Sequence, residues 1–330
     1  MLTYPGQTAV FTRSLAWNVA GEVLTDADGM KASEALRLGG LADWNVRHVP
    51  VVTGLGDHAG AFDDAGVTLP DHRAVVATIG GQTVPLGVVG TKHTLFQNEE
   101  TTEMLDTIVD DSGAHFVAAG SLKNNRKTFV VMKMPSGIQI GGEDAHDLYF
   151  GCTNSHDGSG SLIAWTTTVR LVCTNMLNSS IRGAKSSWRL RHTSSIRGKV
   201  EEARQSLDMT FAWAAEFEAA AQRMLETSMS DTEFDAIVDA LAPLSESDKA
   251  GWVARSEAKR ATLRHLFHEA ETNEFGRGTR WAAYNAFTEY GDWFLPIRSA
   301  DPRARGQRIL GDETVGNWKQ AAFDLLAVPA

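Results

Sequence analysis

DLYFGCTNSHDGSGSLIAWTTTVRLVC, residues 147–173, reads as two β-rich runs, 147–153 and 161–173, separated by a polar turn at 154–160. Asp157-Gly158 is a favoured hairpin dipeptide, because both residues tolerate the backbone conformations that a tight reversal needs. The second run is built from Ile, Trp, Thr and Val, which pack well on a pleated surface. An antiparallel pair is therefore expected, and the chain on either side extends it. Upstream, 44–52 alternates as a strand. The stretches 73–79 and 83–89 flank Gly80-Gly81 as a hairpin, and 115–122 and 128–134 flank a turn at 123–126. Residues 53–70, with four glycines and several Asp, read as a loop. Short helices are expected at 33–41, where Ser33 can cap and Gly39-Gly40 stops the helix, and at 98–111, with acids in its first turn. A further helix is expected to begin within 175–181.

The pattern changes near Ser194. Alanine-rich helical spacing runs from 199 to 228, and a helix at 231–241 starts with Ser230 as cap and Glu233 three residues on. A long charged helix follows at 249–273, an aromatic one at 279–294 and an amphipathic one at 312–327. The fold class expected is α+β: a mostly antiparallel β-sheet with flanking helices at 1–198, then an all-helical C-terminal region at 199–330. The aromatic helix, with Trp281, Tyr284, Phe287 and Trp293, has the spacing of a core element more than of a base-stacking platform.

The chain has 330 residues, 43% hydrophobic and 22% charged, which suits a globular protein of one or two domains. No apolar stretch is long enough to span a bilayer, and residues 1–17 lack the basic-then-apolar order of a secretory signal. Cys152 and Cys173 fall in strand-like runs without a CxxC neighbour, so buried reduced thiols are expected, not a disulfide framework or a thiolate zinc site. Glycine spacing fits neither GxxxxGK[ST] nor GxGxxG, and no GxSxG or HExxH occurs. His265 and His268, three apart on a charged helix beside Glu269, lack a third ligand and read as a solvated face, as does His146 between Asp144 and Asp147.

Charge is distributed unevenly. The formal net charge is −10, yet residues 158–200 contain no Asp or Glu and seven cations: Arg170, Arg182, Lys185, Arg189, Arg191, Arg197 and Lys199. Outside that strip, 24 Lys and Arg face 41 Asp and Glu, a balance of −17. An acidic chain that clears one strip of its own negative charge can present that strip to an anion, because screening confines charge effects to about 8–10 Å. The cations alternate with hydroxyl residues and Trp188, a combination that can neutralise phosphates, donate to them and stack on a base. The competing reading pairs these cations with acids of the same chain, which begin again at Glu201 and Glu202. A second cationic group, Lys123, Arg126, Lys127 and Lys133, lies at a hairpin turn, where surface cations are also common without function. In the polar turn, Asn154, His156 and Asp157 can orient a phosphate, bind a metal, or serve turn geometry alone.

Several blocks resemble, in order, the phage/plasmid-like protein family, a domain-of-unknown-function group numbered 932. They are GLADWNV (40–46), LGVVGTKHTLFQNEE (86–100), NSHDGSGSLIAWTTTVRLVCTNML (154–177), LRHT (190–193) and GTRWAAYNAFTEY (278–290). The similarity runs over about 35–295. GLADW carries one residue more than the family's Gly-Leu-aromatic stretch, Thr174-Asn175-Met176-Leu177 stands for a TNTL-like ending, and Asp292-Trp293 replaces the family's acidic-His pair. The resemblance implies a phage, prophage or plasmid gene expressed in a bacterial cytoplasm, near replication or recombination genes, and supplies no chemistry.

The expectation from these features is a DNA-binding protein without turnover, similar in role to single-strand annealing or single-strand-binding proteins. Its contacts would come from Lys123, Arg126, Lys127, Arg182, Lys185, Trp188, Arg189, Arg191 and Lys199, with the turn Asn154, His156 and Asp157 beside them. Expected partners are single-stranded DNA and further copies of the chain, with no membrane. No cofactor or metal is expected. Magnesium enters only under the alternative of a nuclease using Asp144, Asp147, His156 and Asp157, and a third alternative is a structural or regulatory protein docking an acidic partner.

Overall fold

The computed structural model describes residues 22–23, 30–53, 67–160, 162–170, 176–177, 185–190, 196–246, 249–297, 304–311 and 313–327. Cys173, Arg182 and Arg191 lie outside them, as do the side chain of Arg170 and most of the expected 53–70 loop. The strands in chain order are β1 (Glu22–Val23), β2 (Arg47–Thr53), β3 (Val67–Ile79), β4 (Gln82–Gly90), β5 (His115–Leu122), β6 (Lys127–Lys133), β7 (Ile138–Ile140), β8 (Asp144–Ser155), β9 (Ile163–Arg170), β10 (Met176–Leu177) and β11 (Ser187–Arg189). The α-helices are α1 (Ala32–Leu38), α2 (Thr102–Ser112), α3 (Ile196–Glu226), α4 (Asp231–Leu241), α5 (Ala250–His268), α6 (Arg280–Glu289), α7 (Ala304–Gly311) and α8 (Glu313–Leu326).

Among the described residues every strand pairing is antiparallel, and the strands form two sheets with helices around them, an α+β fold with a helical C-terminal region. In the larger sheet the order is β1-β5-β6-β8-β9-β10. β7 pairs the start of β8, and β11 pairs the start of β9. The two runs of 147–173 are indeed neighbours, with Cys152 opposite Ala164. The smaller sheet is the meander β2-β3-β4, closed by Gly80 and Gly81 at φ 57° and 79°, which residues with a Cβ rarely adopt.

Three local expectations are corrected. β3 begins at Val67 inside the expected loop, because Val67 and Thr68 pair with Thr53 and Val52. Met176–Leu177 adds a short strand to β9 where a helix start was expected, so pairing with Val169 and Thr168 outweighs local helical spacing there. Ser33 lies inside α1 and caps nothing. The free amide of Ala32 donates instead to Asp106 Oδ1 of α2 at 2.8 Å, so a side chain from another element replaces the local cap. The Ser230–Glu233 capping box of α4 forms as its spacing predicts.

One continuous cluster of buried apolar residues runs from Met30 to Leu326. α3 packs on α2, β7, β9 and α6, so it joins sheet and helices through the same core. Phe217 of α3 stacks on Trp213 at 5.0 Å and meets Trp281, Tyr284 and Phe323. The aromatic helix is core, as its spacing suggests: Trp281, Tyr284 and Phe287 are fully buried. Trp281 Nε1 donates to Asp144 Oδ2 at 2.9 Å, tying α6 to the start of β8. Burial pushes the Cys152 thiol up to about 12, which keeps it protonated and unreactive. Among the described residues no helix is long and apolar enough to cross a membrane.

Candidate functional site

The polar turn caps the far end of β8. Lys127 of β6 sits opposite Ser155, and the ladder continues one step as the His156 amide donates to the Arg126 carbonyl at 2.8 Å. That bond seats the turn directly beside the cationic turn 123–126, whose Lys123, Asn124 and Asn125 all take left-handed backbone angles. Lys123 and Arg126 are exposed. On the opposite flank, Thr153 pairs with Ile163 of β9, and Ile163 pairs with Arg189 of β11. Strand register therefore brings one cation group to each side of the polar turn.

Against the polar turn lies a cavity of about 670 Å³. Its floor is Asn154, Ser155 and His156, all buried although polar. Arg189 and Leu190 form one wall, with Gly160 and Leu162. The chain leaving β4, Lys92 to Phe96, forms the other. The described residues that line it include no Asp or Glu; its charges are Lys92 and Arg189, both exposed.

The floor is fixed by a polar network. Asn98 donates Nδ2–H to the Leu41 carbonyl at 2.8 Å, which orients its Oδ1 toward Thr128 Oγ1 and His156 Nε2, each at 3.1 Å. Two groups meet His156 Nε2, the Asn98 Oδ1 acceptor at 3.1 Å and the Asn154 Nδ2 donor at 3.5 Å; the shorter contact assigns the ring proton to Nε2 and leaves the Nδ1 lone pair. Burial pushes the His156 pKa down to about 4. Asp157 opposes that shift and His93 adds to it, so the ring is neutral at ordinary pH. His93 is also held below its usual value, by burial and by His48, whose Nε2 lies 3.2 Å from His93 Nδ1. Burial alone would raise the Asp157 carboxyl. Hydrogen bonds from Ser159 and the nearby Lys127 outweigh it and keep the group below the ordinary range. Asp157 Oδ1 accepts the Ser159 amide at 2.9 Å, so the residue serves turn geometry as well.

The remaining expected residues scatter. Lys199 Nζ lies 2.6 Å from Glu103 Oε2, so this cation is paired within the chain, though with α2 and not with the acids after Glu201. Trp188 is half-buried: its ring centroid is 6.3 Å from that of Phe150, and Nε1 donates to Ser206 Oγ at 3.3 Å, holding β11 to α3. Lys185 is exposed. The carboxylates of the nuclease constellation do not meet. Asp144 and Asp157 bracket the whole of β8, which at about 3.3 Å per residue spans roughly 40 Å. Asp144 is buried against Trp281, and Asp147 accepts from Lys133 Nζ at 2.7 Å. His265 and His268 contact Glu269 and Asp231, whereas His146, expected on a solvated face, is buried against Trp281 with ring centroids 5.7 Å apart; among the described residues no group of three or more His, Cys, Asp or Glu is placed to hold a metal.

Lys92, His93 and Asn98 were not read as site residues from the sequence. Their signal was present in the block 86–100, which together with 154–177 resembles one family. The two blocks wrap the same cavity. The family described as "Domain of unknown function (DUF932)" matches residues 85–310, more than half of the chain and both walls of the cavity. The chain belongs to that family. No curated protein and no solved structure matches this DUF932 member.

Proposed function

We propose that this DUF932 protein binds the sugar–phosphate backbone of single-stranded DNA across the end of its larger sheet. One observation carries the reading: the register β6-β8-β9-β11 sets the turn with Lys123, Arg126 and Lys127 on one flank of the polar turn and Arg189 on the other, and the cavity against that turn has Arg189 on one wall, Lys92 on the opposite wall and no Asp or Glu in its lining. Cations on both sides of a groove neutralise successive phosphates with little base preference. Arg189 is the part of the acid-free strip that supports the reading. Lys185 adds an exposed cation, while Lys199 serves the α2–α3 contact. The phage, prophage or plasmid setting implied by the sequence blocks, near replication and recombination genes in a bacterial cytoplasm, suits such a protein. The separation of Asp144, Asp147 and Asp157 along β8 and its turn favours binding over a two-metal hydrolysis, which needs carboxylates that converge.

The test is fluorescence anisotropy with a labelled oligodeoxynucleotide at about 50 and 200 mM salt, with and without magnesium, followed by a denaturing gel. Binding whose logarithm falls with log salt at a slope near −0.7 per phosphate contact, with the strand left intact, is expected. Absence of binding at low salt refutes the proposal, and magnesium-dependent shortening of the strand replaces it with the nuclease.

A further inference from the structure

We infer that the cavity between Lys92–Phe96 and Arg189 is a one-nucleotide pocket, taking a base together with its 5′-phosphate. The inference deepens the nucleic-acid reading and rests on it for the class of ligand. The volume, about 670 Å³, is far more than a phosphate fills and lies within the roughly 300–1,000 Å³ of sites that enclose whole small molecules. The lining divides as a nucleotide does. Lys92 and Arg189 are exposed at the wall ends, where a dianionic phosphate can keep some solvent and accept from a guanidinium fork. Phe96, Leu95, Leu162 and Leu190 supply apolar walls for a flat ring.

The floor carries the strongest part of the argument. Buried polar side chains persist in a fold when they are hydrogen-bonded or have work to do. His156 spends Nε2–H on Asn98 and keeps an uncharged Nδ1 acceptor, with Ser155 beside it. An acceptor and a hydroxyl at the bottom of an apolar slot match the edge of a nucleobase, which offers N–H donors and carbonyl acceptors in one plane. A neutral histidine suits that role better than a charged one, because the bound base is neutral while the phosphate is met by Lys92 and Arg189. A simple phosphate site would use none of the floor or apolar walls.

The experiment is calorimetric titration of the full chain at about 50 mM salt with thymidine 5′-monophosphate, deoxyadenosine 5′-monophosphate and inorganic phosphate, in parallel with the labelled oligonucleotide. Two variants are compared. Thr94→Trp fills the pocket from an exposed lining position, and Arg189→Ala removes the phosphate contact; equal melting temperatures check that both fold. At least one mononucleotide is expected to bind at one site about tenfold or more tighter than inorganic phosphate, and each variant to weaken it by about tenfold or more. Equal affinity for inorganic phosphate and both mononucleotides, or unchanged mononucleotide affinity in Thr94→Trp, overturns the pocket. Oligonucleotide binding without any mononucleotide site also overturns it, while leaving the backbone-binding proposal standing. A mononucleotide site without oligonucleotide binding leaves the pocket and removes the strand.

Discussion

His156 stays uncharged at neutral pH because its ring is buried, and this has a measurable consequence. Its folded pKa of about 4 lies below the unfolded value of 6.5. Between those values the unfolded chain takes up a proton that the folded chain refuses, so the contribution of this group to stability is present above pH 6.5 and is lost as pH falls toward 4. From pH 7 to pH 5 the loss attributable to His156 is roughly 2 kcal/mol. Urea unfolding of the native chain and of His156→Gln at both pH values checks it: the gap between them should shift by about that amount in favour of the variant at pH 5. An unshifted gap means the ring is protonated or exposed in the fold. His156 was legible as a candidate because it stands in a turn beside Asp157. Its hydrogen-bond partner was not. Asn98 is 58 residues away and looked like the first residue of a helix, and nothing local shows that its amide is held by the Leu41 carbonyl.

At the scale of elements, the strands were readable and their meeting points were not. Hairpin dipeptides and β-branched runs identified β3–β4, β5–β6 and β8–β9, since these pairings join neighbours in the chain. The contact that builds the pocket joins the two sheets. A Cβ at Gly87 of β4 would stand 2.8 Å from the Asp157 Cα, so only glycine lets that strand approach the polar turn. The Gln97 carboxamide adds a second seam, accepting from the Val46 amide at 2.9 Å and donating to its carbonyl at 2.7 Å in the manner of a strand. Gly87→Val should therefore push β4 off the turn, cost about 1–3 kcal/mol as overpacking does, and weaken oligonucleotide binding more than the reversal of any distant charge. Thermal melts and anisotropy on the same preparation test this, and a variant destabilised yet binding normally would detach the small sheet from the site. The expected carboxylate constellation does not assemble at this scale: Asp144, Asp147 and Asp157 are near in sequence, but one extended strand runs between the first and the last.

For the whole molecule, the acid-free strip was legible as composition, and its division of labour was not. Arg189 faces the pocket, Lys199 closes on Glu103, and Trp188 fastens β11 to α3. Charge reversal separates these roles. Arg126→Glu and Arg189→Glu, both at exposed positions, should each lower oligonucleotide affinity about tenfold or more at low salt and flatten the salt slope, with melting nearly unchanged. Arg37→Glu, on α1, should leave affinity unchanged. Equal losses in all three would point to diffuse attraction without a site. The two sheets meet at Gly87 and Asp157, and each supplies one side of the pocket. At that contact backbone meets backbone with no side chain between, and the pocket opens beside it. An occupant gripped on both sides would brace the sheets against each other. Amide exchange should then slow together in β4 and β8, making rigidity across the joint a signature of occupancy even for residues that never touch the ligand.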